Sequence, residues 1–504
     1  ANTVWVATDE NGAVNLYTTT DAFTTAPTSL ASEPNDADNG IGASDFTRGA
    51  AWYNLTIEAD ASDNLIVGGV NLFRSTDNGV TWPQISKWAS NPNMNSLNVS
   101  FVHADQHATV FRPGAGNSNK IVFGTDGGVF YSDDITLAAT STTAIQARNK
   151  NYNTIQFYYG DISSAINGAA DDLIGGTQDN GTVGIYDAVA GANQFTDGYG
   201  GDGAYTEIDD TGGYILTSYT GNNHNVTLPA DFDLISSNTG GSFINQAGLD
   251  KNLDILYSNS STGGTFRIER NSNILTGNSA NVVRTQLTNA LLNTTPTAFK
   301  VSPFTAGSTK LFVGLANGRL LRVDNADGGS GSPTWTNITG SGFLGSISDI
   351  EFGATEQDIF VTFFNYGTTN IWYSADGGTT WQNKEGDLPD IPVRCILQNP
   401  LIPNELIVGT DIGVWATADY TQGSPSWVQT INGMSETPVV DLDLRASDNV
   451  ILASTHGRGM FTSQFTSSPL STNENELTNN TIKVYPTISN GHINISASVD
   501  YGIT

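Results

Sequence analysis

The segment Ser75-Thr76-Asp77-Asn78-Gly79-Val80-Thr81-Trp82 returns almost unchanged as Ser374-Ala375-Asp376-Gly377-Gly378-Thr379-Thr380-Trp381. The common pattern is S-x-D-x-G-x-T-W. A short carboxylate at its third position can accept backbone N–H groups within a turn. Glycine supplies a left-handed conformation, and the indole packs on the neighbouring sheet. The pattern therefore predicts a rigid turn between two strands. It gives Ser75, Asp77, Gly79 and Trp82, with Ser374, Asp376, Gly378 and Trp381, structural roles.

Working outward, Trp335, Trp381 and Trp427 stand 46 residues apart. Ahead of each lies an apolar run that ends in Gly or Thr, then a Gly-containing turn and a second apolar run. Leu65-Ile66-Val67-Gly68, Ile121-Val122-Phe123-Gly124, Leu311-Phe312-Val313-Gly314 and Leu406-Ile407-Val408-Gly409 are the clearest copies. Weaker ones begin near Trp5, Leu173, Tyr214, Ile255, Ile359 and Ile451. Runs of four to six β-branched and apolar residues, punctuated by Gly, Asn and Asp, predict short strands, and no window sustains a helical period. About ten copies at roughly 41 to 62 residues match the size of a four-stranded repeat.

The S-x-D-x-G-x-T-W turns resemble the Asp-box of β-propeller families, among them sialidases, sortilin-like receptors and two-propeller xyloglucan-cleaving glucanases. The resemblance implies an all-β propeller over residues 1–465, as one large ring or two smaller rings. It also implies that the Asp-boxes join third and fourth strands, on the face opposite the ligand funnel. Asp134-Ile135 and Asp327-Gly328-Gly329 look like eroded boxes.

The chain has 504 residues, 54 of them Gly, and a formal net charge of −30. Such acidity excludes a general basic footprint for nucleic acid and electrostatic docking on anionic lipid. It fits solubility outside the cell, or calcium sites built from Asp-rich turns. Cys395, the single cysteine, sits in the apolar run Val393-Arg394-Cys395-Ile396-Leu397 and is expected to be a buried strand residue. No apolar run approaches membrane-spanning length. No signal peptide is visible at Ala1, so a mature chain or a fragment is expected.

After Phe465 the composition turns polar, and residues 466–480 predict a linker. Residues 481–504 contain Tyr485-Pro486, the turn dipeptide Asn490-Gly491, and alternating Ile493 and Ile495. This stretch resembles the opening of the C-terminal sorting domain of the type IX secretion system of Bacteroidetes, a small β-sandwich that here stops early. Thr487-Ile488 stands where the family has Asn-Pro. The resemblance implies export to the cell surface or medium. The type IX translocon and its outer-membrane shuttle protein would be the partners.

In propeller order the ligand face takes the loops that enter inner strands and the turns between second and third strands. Along Val102-His103-Ala104-Asp105-Gln106-His107-Ala108, alternation on an inner strand would put His103, Asp105 and His107 on one side, a trio suited to a transition metal or to a hydrogen-bonded lining. Second-to-third turns add Asp126, Asp179 with Asn180, Asp411, and His456 with Arg458, while Asp202 enters from an inner-strand loop. Asp or Asn before Gly is also ordinary turn chemistry. The Gly-Thr-Asp turns resemble loops of the xyloglucan-cleaving propellers, which makes Asp126 and Asp411 a candidate catalytic pair facing across a cleft. Two functions stay open: a surface module that binds a glycan or protein, and a polysaccharide-active hydrolase or lyase. No phosphate loop and no serine nucleophile elbow appears.

Overall fold

A computed structural model describes residues 3–38, 41–42, 44–163, 171–228, 231–238, 240–305, 307–329, 331–430, 433–467, 483–485 and 494–496. Within them the chain is all-β apart from one short helix, Ala51–Asn54, and two single 3₁₀ turns. Ten antiparallel sheets of three or four strands occupy the described residues. In nine of them the apolar landmark of the sequence is the second strand, as in Ile121–Thr125, Leu311–Leu315 and Leu406–Thr410. The remaining landmark lies in Val4–Glu10, the first strand of a three-stranded sheet.

The chain forms two compact units. The first holds Ala1–Ile155 with Gln178–Gly181 and Asp197–Asp202, and the second holds the rest. In the second unit the first strands of successive sheets lie side by side. Ala247–Asp250 neighbours Pro296–Val301, which neighbours Ile347–Phe352, then Val393–Gln398, then Val439–Arg445. Val439–Arg445 lies beside Phe157–Ser163, and that strand beside Glu207–Ile208. An apolar cluster of Tyr205, Leu216 and Val226 with Ala247, Leu249 and Leu256 joins the remaining pair of sheets. The core thus lies between sheets, in clusters such as Ile255, Tyr257, Leu311 and Val313, or Phe360, Val393, Ile396 and Leu406.

A first strand has no sheet partner on its outer edge, so its N–H groups need acceptors from elsewhere. Carboxylates of neighbouring first strands supply them. Asp349 Oδ2 accepts from the Ile396 N–H at 3.0 Å. Asp441 and Asp443 accept from Gly160 and Ile162, each at 3.1 Å. Asp161 accepts from Ile208. These acids are therefore stitching between sheets. Cys395 is buried, and burial pushes its thiol up, which leaves it an inert packing group.

The two near-identical turns are built by the same bonds. Asp77 Oδ1 accepts from Ser75 Oγ (2.8 Å), Val80 N–H (3.1 Å) and Thr81 N–H (2.9 Å), and Oδ2 accepts from Thr81 Oγ1 (2.6 Å). Asp376 repeats this with Ser374 Oγ, Thr380 N–H and Thr380 Oγ1. Trp82 donates to the Ser32 carbonyl and Trp381 to the Ile338 carbonyl. Trp427 donates to Lys384 across the same separation of 43 residues that links Trp381 to Ile338. Trp381 and Trp427 thus repeat one bond to the preceding sheet.

In the C-terminal segment Lys483–Tyr485 pairs antiparallel with Asn494–Ser496. Pro486, Asn490 and Gly491 lie outside the described residues, as does most of the expected linker.

Candidate functional site

Six sheets share one irregularity. Where the first strand meets the second, the register slips by one residue, at His107, Tyr158, Thr297, Ser348, Arg394 and Val440. Such a bulge re-aims its side chain. The turn that follows the second strand is also repeated. Thr125 Oγ1 donates to the Gly128 carbonyl and accepts from the Gly127 N–H. Thr410 does the same with Gly413 and Ile412, and Thr455 with Gly459 and Arg458. The recurring Gly-Thr-Asp signal is thus first of all a threonine-built turn, which then presents Asp126 or Asp411.

Those two aspartates belong to different units, and each meets the bulged residue of its own sheet. Asp411 Oδ1 accepts from Arg394 Nε at 2.7 Å, and the guanidinium lies 4.2 Å from the centre of the Phe364 ring. In the first unit the bulged residue is His107, whose Nε2 lies 2.6 Å from Asp126 Oδ1. His107 Nδ1 faces the Tyr53 carbonyl at 3.2 Å. A carbonyl only accepts, so Nδ1 carries a hydrogen, and the Nε2–Asp126 contact shares one further proton.

Around Asp126 the first unit gathers several expected residues. The short helix Ala51–Asn54 carries Tyr53, whose hydroxyl lies 2.8 Å from Asp126 Oδ1 and 3.3 Å from Asp179 Oδ2. One hydroxyl has one proton to give, so the second contact is satisfied when Asp179 is itself protonated. Burial, reinforced by the charges of Asp126 and Asp202, pushes Asp179 up to about 6. Burial, with the nearby Asp126 charge, also raises Asp202, although its Oδ1 accepts from the Asp179 N–H. Burial and the Asp126 hydrogen bond raise the Tyr53 phenol, which keeps it a donor. Asn180 Nδ2 donates to the Asp126 carbonyl at 3.0 Å and ties the two turns together. The Asp126 side chain is only 9% exposed, and its Oδ2 has no partner among the described residues.

His103, Asp105 and His107 do not line one side of a strand. The strand is Gln106–Phe111, and Asp105 before it is left-handed at φ 61°. Bulge and turn together break the alternation. Asp105 instead accepts from Asn54 Nδ2 at 2.5 Å. His103 lies against Gly127, where any Cβ would collide with the imidazole, so the turn needs glycine there. Among the described residues no group of three His, Cys, Asp or Glu is placed to hold a metal. His456 and Arg458 belong to the second unit, where His456 Nδ1 faces the Phe157 carbonyl at 3.0 Å and burial lowers the imidazole.

Sequence reasoning missed Trp52 and Tyr53. Trp52 is 78% exposed, with its ring 5.6 Å from that of Tyr53. The signal was an aromatic pair in Ala51-Trp52-Tyr53-Asn54, a segment without strand alternation. No family model matches the chain, and no curated protein matches it. No helix among the described residues is long and apolar enough to cross a membrane.

Proposed function

We propose that this chain is a β-propeller exported by the type IX system to the cell surface or medium, where it binds a polymer. Seven sheets of the second unit, each packed on the next through a first-strand neighbour or an apolar cluster, support a seven-bladed ring there. The Asp-box-like turns and the Tyr485-Pro486 tail support the family and the route. The binding site is centred on Trp52, Tyr53, His107, Asp126 and Asp179. The observation that carries this is an exposed indole stacked near a tyrosine whose hydroxyl contacts a buried and a half-buried carboxylate. A flat aromatic face with few convergent polar groups suits a surface ligand such as a glycan or a segment of a surface protein.

A hydrolytic reading is favoured by one observation. Two acids contact the same hydroxyl, so their contacting oxygens lie within about 6 Å, near the spacing of retaining glycosidases. In this reading the acids are Asp126 and Asp179. Glycan arrays followed by reducing-end assays separate the two. Binding without product supports the module, and product lost in Asp126→Asn and Asp179→Asn supports the enzyme. No binding and no product would defeat both.

A further inference from the structure

We infer that the Asp126 site takes a guanidinium group, the arginine side chain of a partner polypeptide. The inference rests on the binding reading above and names its ligand.

The molecule supplies its own comparison. Asp126 and Asp411 occupy the same position in equivalent two-residue turns, between Thr125 and Gly128 and between Thr410 and Gly413. Each meets the bulged residue of its first strand. At Asp411 that residue is Arg394, which places a guanidinium on the carboxylate and its π-face on Phe364. At Asp126 it is His107, a shorter side chain that brings an imidazole to Oδ1 where Asp411 has a guanidinium. Asp126 Oδ2 is left without a partner in a side chain 9% exposed. An unpaired buried carboxylate oxygen is costly, so the position asks for a donor that the chain itself does not supply.

The surroundings select the donor. Beside burial, the Asp126 charge raises both Asp179 and Asp202, and a cation there would relieve both. Trp52 and Tyr53 offer faces for a planar cation, as Phe364 does for Arg394. The comparison also names the source, since the donor on Asp411 is an arginine side chain with a planar, forked head on a flexible stem. The net charge of −30 steers basic partners toward the protein.

The test is calorimetric titration of the full chain at neutral pH with acetyl-Gly-Arg-Gly-amide, its citrulline isostere, and a glucosamine hexamer. The arginine peptide should bind roughly tenfold or more tightly than the citrulline peptide. Asp126→Asn and Trp52→Ala should each weaken it. Because Trp52 is exposed, its variant keeps the test open if Asp126→Asn misfolds. His107→Arg should abolish binding by supplying the cation in cis, as Arg394 does. Equal binding of citrulline, or undiminished binding by His107→Arg, overturns the inference. A glucosamine hexamer that binds more tightly than the peptide overturns the polypeptide source. Neutral glycans that bind while the arginine peptide does not leave the site standing and sink this inference alone. No binding to any probe sinks both.

Discussion

At the scale of residues, the same amino acid does opposite things in different surroundings. Asp77 sits at the surface and collects donors, the Thr81 hydroxyl first and then its N–H, which hold its carboxyl down at about 2. Its contribution to stability is fully present above the ordinary aspartate value near 4 and is lost as pH falls through about 2. The melting temperature of Asp77→Ala should therefore lie below wild type at pH 7, and the gap should close toward pH 2. A gap that persists at pH 2 would mean that packing, not the carboxylate, holds the turn. Asp179 runs the other way. Between about 4 and 6 the folded chain keeps a proton that the unfolded chain releases, so this group costs stability as pH rises. Asp179→Asn should raise the melting temperature at pH 7.5 and leave it unchanged at pH 4. A gain at both values would point to a cause other than ionisation. Asp77 was legible because its turn partners lie within four residues. Asp179 was legible as a turn residue, but its proton affinity comes from burial and from the charges of Asp126 and Asp202, which no local pattern reveals.

At the scale of elements, first strands gain acceptors from each other. Asp349 accepts from Ile396 on one neighbouring strand, and burial pushes its carboxyl up to about 6. Asp349→Ala orphans that N–H and should cost about 1–3 kcal/mol in urea denaturation. Asp349→Asn keeps an acceptor without the charge and should cost less, or nothing at pH 7.5. Equal losses in both variants would show that the stitch contributes little. Val439–Arg445 is a strand although a bulge at Val440 interrupts its alternation. Alternation failed at His103, Asp105 and His107 because the first two lie before the strand, Asp105 is left-handed, and His107 is itself the bulged residue. A bulge is selected by the partner strand and the next turn, so the local sequence carries little trace of it.

At the scale of the whole molecule, the proposed export makes its own demand. Removing residues from Asn480 onward should abolish delivery to the surface and leave the protein in the periplasm, as followed by fractionation and protease shaving. Undiminished delivery would refute the address in the tail. What the sequence determined by itself is what short-range chemistry and repetition control: strands from apolar runs, turns from Asp, Thr and Gly, and a period marked by tryptophans of constant spacing. Those signals survive in a linear reading because each is made by residues within a few positions, or by a repeat of constant length. Only the tertiary structure decided which acids meet. It gave Asp126 His107 and Tyr53, gave Asp411 Arg394, and left a buried oxygen open on the first alone. The reason is that charge pairing depends on distances between side chains far apart in the chain. Those distances follow from how sheets pack, and composition cannot report them.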